Sequence, residues 1–101
     1  MHRRTAETHE RIKEEILREK AVALGRAGER LEAALREVST IARAWRAAVD
    51  ADERERLRGD YDIAWRAADA ARLALLVQRE AVGLRDQRVV DQEFPRPPRR
   101  P

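Results

Sequence analysis

The chain has 101 residues, of which 41% are charged and only 4% are aromatic, and it contains no cysteine. This length suits one small domain, and the missing thiols exclude a disulfide framework and a thiolate metal site. The formal net charge is +3, but residues 1–4 carry +2 and residues 94–101 carry +3, so the body between them is about −2. A nucleic-acid-binding fold usually concentrates basic charge on one face, so a nucleic-acid partner is not expected.

Apolar residues recur every three or four positions through the first half of the chain, which is the period of a coiled coil. The stripe comprises Leu17, Ala21, Leu24, Gly28, Leu31, Leu35, Val38, Ala42, Trp45 and Val49. It predicts a first helix over about residues 5–49. Apolar residues at neighbouring positions widen the face to three in seven, which favours a bundle over a two-stranded coil. Gly28 indicates either close backbone packing or a kink, and the unbroken period favours packing.

Acidic residues mark the end of the first stripe. Asp50 or Asp52 can cap a second helix, and Glu53 adds negative charge to its first turn. A rival corner lies at Gly59–Asp60, with the glycine ending one helix and the aspartate capping the next. We prefer the first corner because Leu57 and the residues after it already follow the next stripe.

A second helix is predicted over about residues 52–92, packed against the first as an antiparallel hairpin. The fold class is therefore all-α, with residues 1–93 as a single domain. The predicted hairpin seam comprises Leu17, Leu24, Gly28, Leu31, Leu35, Val38, Trp45, Val49, Leu57, Tyr61, Leu75 and Val82.

The second helix is also apolar on a side that the hairpin cannot cover. Leu73, Val77 and Leu84 point roughly opposite the seam, with Leu76 between the two faces. These four residues are the candidate dimer interface. Pairing them about a two-fold axis predicts a homodimeric four-helix bundle.

Residues 94–101, Phe-Pro-Arg-Pro-Pro-Arg-Arg-Pro, end the helical pattern. Their prolines predict a flexible, solvated, polyproline-like tail that also fits the short PxxP pattern. The basic ends supply five candidate anion contacts, Arg3, Arg4, Arg96, Arg99 and Arg100.

Few residues are of a type and spacing that could support catalysis or bind a metal ion. The two histidines, His2 and His9, lie near the start of the chain. Lys13, one turn after His9, would repel a metal ion bound at His9. The carboxylates of Asp60, Asp62 and Asp69 lie beside Arg58, Arg66 and Arg72 and are expected to form solvated ion pairs. We therefore expect no catalytic residue, no metal, no cofactor and no enzymatic activity.

Two blocks, residues 19–35 and 77–87, resemble a family of small bacterial helical proteins of unknown function. The resemblance implies kinship and no particular chemistry. Trp45 before a helical corner is similar to the WXG-type secreted hairpins, but Trp45-Arg-Ala47 lacks their glycine and the charge content is high.

The sequence as a whole indicates a non-enzymatic structural or adaptor protein that acts through helix–helix contacts, as a homodimer or with a further protein partner. The alternative is binding to nucleic acid or an acidic surface through the two basic ends. No apolar run approaches the roughly 18 residues of a membrane span, and no signal-peptide pattern is present, so we expect a cytoplasmic protein without a membrane partner.

Overall fold

A computed structural model describes residues 2–101, with side chains described from residue 5 onward. The chain forms α1 (His2–Ala47), α2 (Ala51–Ala81) and the short α3 (Arg88–Glu93). The two long helices pack along each other, and the described residues include no strand. The predicted all-α helical hairpin is confirmed.

The corner between the long helices comprises Ala48, Val49 and Asp50. The carboxylate of Asp50 accepts a 2.9 Å hydrogen bond from the backbone N–H of Glu53. Asp50 thus satisfies one N–H of the first turn of α2 and brings negative charge to its positive end. The first corner is confirmed, and the rival corner is excluded because Gly59 lies inside α2.

The core lies between α1 and α2 in two clusters of buried residues. The first comprises Ala27, Leu31, Leu75 and Val90, and the second comprises Val38, Tyr61, Ala64 and Ala68. Of the predicted seam, the structure buries Leu31, Val38, Leu57, Tyr61 and Leu75, and it half-buries Leu24, Gly28, Leu35, Trp45 and Val82. The seam prediction is wrong for the remaining two residues, Leu17 and Val49, because both are exposed.

Val49 is 96% exposed because α1 ends at Ala47, so the residue belongs to the corner and not to the helical stripe. Leu17 is 63% exposed for a different reason. Helix α1 has 46 residues and α2 has 31, so α1 is longer by about 22 Å at ~1.5 Å per residue. Its N-terminal part extends beyond the hairpin, and Leu17 has no part of α2 opposite it.

We call residues 5–19 the arm, because every one of these side chains is exposed. The arm accounts for the elongated shape of the molecule, whose principal extents are 75 × 21 × 14 Å. Helix α1 also begins earlier than predicted, at His2. Local ion pairs along the arm, Glu10 with Lys13 at 3.6 Å and Glu14 with Arg18 at 3.9 Å, support the helix from its own surface.

The predicted second helix is too long, since α2 ends at Ala81 and not near residue 92. Gly83 adopts a positive φ of 85°, which glycine accepts at little cost. The N–H of Leu84 donates to the carbonyl of Arg79 at 2.9 Å, and the N–H of Gly83 donates to that of Glu80 at 3.0 Å. This pair of bonds is the Schellman motif, which satisfies the last carbonyls of the helix and turns the chain away.

The chain beyond this turn folds back onto the hairpin. Helix α3 buries Val90 in the first core cluster, and Phe94 packs against the same cluster. The tail (residues 94–101) then follows α2, with its prolines beside α1 and α2. The expectation of a solvated tail therefore needs correction, because side chains of α2 bind its carbonyls and arginines.

Gly28 is not explained by close packing. A Cβ atom built at Gly28 meets no side chain, and no backbone of another element, within 4 Å. Helix α1 also runs through Gly25 and Gly28 without interruption. The preference for a close backbone approach at Gly28 is wrong, since the position has room for a methyl group.

Candidate interaction surfaces

One face of α2 binds the tail through three hydrogen-bond donors. Tyr61 donates its O–H to the carbonyl of Pro98, and Trp65 donates its Nε1–H to the carbonyl of Pro97 at 3.2 Å. Two turns further along, Arg72 donates to the carbonyl of Phe94 at 2.6 Å. Proline has no N–H, so its carbonyl is the one backbone group that it can offer. The donors of α2 therefore match the polar groups that the tail presents.

Two ion pairs flank these hydrogen bonds. Arg99 lies 2.6 Å from Asp62, and Arg96 lies 3.3 Å from Asp69. The guanidinium of Arg99 also stacks over the Trp65 ring, 4.5 Å from its centroid, which is a cation–π distance. The sequence predicts that Asp69 pairs with a neighbour on its own helix, whereas the structure gives it Arg96 of the tail.

The tail changes the titration of two groups on α2. The hydrogen bond from Arg99 lowers the pKa of Asp62, partial desolvation opposes this, and the positive charges of Arg66 and Arg99 add to the lowering. Burial raises the pKa of the Tyr61 hydroxyl, and the nearby Arg99 partly offsets that rise. Both shifts favour the protonation states that hold the tail, a charged Asp62 and a neutral Tyr61 that donates.

Arg72 is a charged side chain inside the fold, with 3% of its surface exposed. It donates to Asp91 at 3.1 Å as well as to Phe94, so it joins α2 to both α3 and the tail. Burial lowers its pKa, Arg96 lowers it further, and Asp91 and Asp69 oppose the change.

The expectation of a solvated Arg72 therefore needs correction. A signal existed in the sequence, since Arg72 lies four residues after Ala68 and three before Leu75, on the buried stripe. A charged residue at such a position needs partners that the rest of the chain must supply.

The tail does not fill the space between itself and α1. An open cavity of about 310 Å³ remains there. Its lining includes the prolines Pro95, Pro97, Pro98 and Pro101 on one side and Leu35, Val38 and Ala42 on the other. We call the site that holds the tail the groove. It combines this apolar wall of α1 with the donors Tyr61 and Trp65 and the carboxylates of Asp62 and Asp69.

A second surface lies further along α2, toward its C-terminal end. Leu73, Val77 and Leu84 are 63%, 55% and 45% exposed, and Leu76 is half-buried against the first core cluster. We call these four residues the α2 patch. They surround a shallow depression whose rim also carries one acid, Glu80, and one base, Arg85. The Schellman turn places Leu84 beside the helix that it ends.

The candidate anion contacts do not form one basic surface. The side chains of Arg3 and Arg4 lie outside the described residues. Arg96 and Arg99 are engaged by carboxylates of α2. Arg100 is exposed and borders an open depression that also contains acidic side chains. The tail therefore contributes less free positive charge than its sequence indicates.

Trp45 packs at the corner end of the hairpin. Arg54 stacks on its ring at 4.1 Å from the centroid, and Arg58 lies at 5.9 Å. The three groups hold the start of α2 against the end of α1. Trp45 is thus a structural residue of the hairpin corner.

Among the side chains that the structure describes, no group of three or more histidines, cysteines, aspartates or glutamates is placed to hold a metal ion. No helix in this described part has an apolar stretch long enough to cross a bilayer. Comparisons with protein-family models, curated proteins and solved structures found no match. The resemblance of residues 19–35 and 77–87 to a bacterial family stays a prediction.

Proposed function

We propose that this chain is a structural or adaptor protein without enzymatic activity, which acts through helix–helix contacts and forms a homodimer. The observation that carries the proposal is the α2 patch. Three large apolar side chains, Leu73, Val77 and Leu84, are exposed side by side on the hairpin. A patch of this kind covers on the order of several hundred Å², near the upper limit for a monomer.

A second copy of the chain is the occupant that the patch fits best. Two patches related by a two-fold axis bring identical apolar side chains together and complete a four-helix bundle. The rim supports this pairing, because Glu80 and Arg85 give each copy a charge of either sign to offer its partner. Leu73, Val77 and Leu84 remain exposed with α3 in place, so this part of the patch is open for association.

Val77→Glu tests the proposal, because it places two carboxylates close to the axis in an apolar seam. The wild type should sediment as a dimer at micromolar concentration and the variant as a folded monomer. Val22→Glu is the matched control, since Val22 is exposed to a similar extent on α1, on the side opposite the buried Leu31 and away from the patch. It should leave the dimer intact.

A wild-type chain that stays monomeric and folded at micromolar concentration would contradict the dimer. Dissociation by both substitutions would show that an added surface charge splits the dimer wherever it lies, which would contradict the α2 patch as the interface. Circular dichroism at 222 nm separates a folded monomer from an unfolded chain.

Binding of nucleic acid or an acidic surface through the basic ends is the alternative. The ion pairs of Arg96 and Arg99 reduce its support. A titration with duplex DNA across salt concentrations distinguishes the two, because a binder that contacts several phosphates loses affinity steeply as salt rises. No binding at low salt would exclude this alternative.

A further inference from the structure

The groove that holds the tail has the parts of a peptide-binding site. Tyr61 and Trp65 are one turn apart on α2, and each donates a hydrogen bond to a proline carbonyl. Arg72 donates to Phe94, so the tail runs antiparallel to α2. Aromatic side chains that line a groove for an extended proline-rich segment are the usual means of polyproline recognition.

The same groove also recognises arginine. Asp62 pairs with Arg99, whose guanidinium stacks on Trp65, and Asp69 pairs with Arg96. Proline carbonyls and arginine side chains are therefore bound together by neighbouring residues of one helix. We propose that the groove is a binding site for extended peptides rich in proline and arginine, which the chain's own tail occupies in this structure.

Two observations indicate that a second peptide can replace the tail. Arg96 and Arg99 are exposed, and ion pairs of exposed side chains hold weakly. The cavity of about 310 Å³ beside the prolines shows that the tail fills the groove incompletely. An attached segment competes at an effective concentration on the order of millimolar, so a free peptide binds visibly once the tail is weakened.

The proposal does not depend on the α2 patch. The groove uses Tyr61, Trp65 and the side of α2 that faces the tail, whereas the patch centres on Val77. A failure of the dimer would leave the groove proposal standing.

The probe is a fluorescein-labelled peptide, Phe-Pro-Arg-Pro-Pro-Arg-Arg-Pro, titrated with the full chain by fluorescence polarisation. The open-groove variant carries Pro97→Gly, Pro98→Ser and Arg99→Gly at full chain length. Arg99→Gly removes the contacts with Asp62 and Trp65, and the two proline substitutions remove the preformed extended conformation of the tail. We expect this variant to bind the peptide at least about ten-fold more tightly than the wild type does, because the attached tail competes less strongly.

Two controls separate recognition from charge attraction. A peptide of equal charge with alanine at each proline, Phe-Ala-Arg-Ala-Ala-Arg-Arg-Ala, should bind about ten-fold more weakly, since it lacks the preformed extended conformation. Adding Trp65→Phe and Asp62→Asn to the open-groove variant should weaken binding of the proline peptide by a similar factor. Trp65→Phe keeps an aromatic ring and removes the N–H donor.

Three results would overturn the proposal. The first is no binding at about 1 mM by an open-groove variant with a wild-type circular dichroism spectrum. The second is equal binding of the alanine peptide, which would show charge attraction alone. The third is a wild-type dimer that the open-groove substitutions dissociate, which would make a second copy's tail the occupant.

Should the open-groove variant not fold, the wild type itself gives the answer by nuclear magnetic resonance. Several millimolar unlabelled peptide should shift the indole N–H resonance of Trp65 and leave that of Trp45 in place. An unmoved Trp65 resonance would overturn the proposal.

Discussion

Arg72 shows how one buried charge fixes the path of the chain. Its guanidinium donates to a side chain of α3 and to a carbonyl of the tail, so two segments distant from it in sequence meet at one group. A buried arginine remains charged and costs free energy unless its donors are engaged. The position of α3 therefore depends on Arg72 of α2. From its charge alone, Arg72 would be expected at the surface.

Arg72→Ala should destabilise the fold by about 2–3 kcal/mol, because the charge-assisted bond to Phe94 is lost and its carbonyl is left unpaired. Asp91 is exposed and regains water, which keeps the loss in this range. Thermal unfolding measures the effect. Arg36→Ala is the control, since it removes an exposed pair with Glu32 that contributes less than about 1 kcal/mol. Equal losses in the two variants would contradict the structural role of Arg72.

Asp62 makes tail docking sensitive to acid. Its pKa is lower in the folded chain than the ordinary value of 3.8, chiefly because Arg99 hydrogen-bonds the charged form. The stabilisation is therefore fully present above the ordinary pKa and is lost as the pH falls through the folded pKa. The raised pKa of Tyr61 matters only in alkali. The stability that the neutral hydroxyl contributes is lost as the pH rises through the folded pKa, which lies above 10.0.

We expect the emission of Trp65 to shift to longer wavelength as the pH falls below about 3.8 and the tail leaves the groove. The measurement uses a Trp45→Phe background, so that Trp65 is the sole tryptophan. Asp62→Asn should remove most of the acid transition, since the Asp69–Arg96 pair is common to both proteins and cannot cause a difference between them. An identical transition in the two proteins would assign it to other carboxylates.

At the scale of the elements, the helices and their corner follow from local chemistry. A period of three and four residues predicts α1, and Asp50 followed by two acids predicts the start of α2. The end of α2 had a local signal as well, since Gly83 follows the last helical turn. Apolar residues on both sides of that glycine concealed it by continuing the apparent stripe.

The folded-back end could not be predicted in the same way. The donors that hold the tail, Tyr61 and Trp65, are more than thirty residues away from their acceptors in the chain. The four-residue spacing of Tyr61 and Trp65 fits a tail-binding groove and a hairpin seam equally well. The exposure of Leu17 is equally non-local, because it depends on the length of α2.

Two glycines provide a prediction about helix continuity. Gly28→Ala should stabilise the fold by about 0.5–1 kcal/mol, since alanine has the higher helix propensity and the methyl group meets no neighbour within 4 Å. Gly83→Ala should destabilise it by about 1 kcal/mol or more, because a side chain is strained at a φ of 85°. Thermal melts of the two variants should therefore move in opposite directions. A loss of stability in Gly28→Ala would return close packing as the role of that glycine.

At the scale of the whole molecule, the structure consists of a packed hairpin and a projecting helical arm. The radius of gyration is 19.8 Å, whereas a compact domain of about 100 residues has roughly 13 Å. The difference arises from α1, whose first part extends beyond the end of α2. Stability and shape should therefore depend on different parts of the sequence.

Deleting residues 1–19 should shorten the molecule and leave the hairpin stable. At ~1.5 Å per residue, the deletion removes about 28 Å of helix from a molecule that is 75 Å long. The melting temperature should change by less than about 4 °C, because the arm's side chains make no part of either core cluster. Small-angle scattering and thermal unfolding, both in the Val77→Glu background to avoid dimerisation through the α2 patch, measure the two effects separately. A large fall in melting temperature would show that the arm packs in solution. The side chains to test would then be the exposed large apolar residues of the arm, Ile12, Ile16 and Leu17.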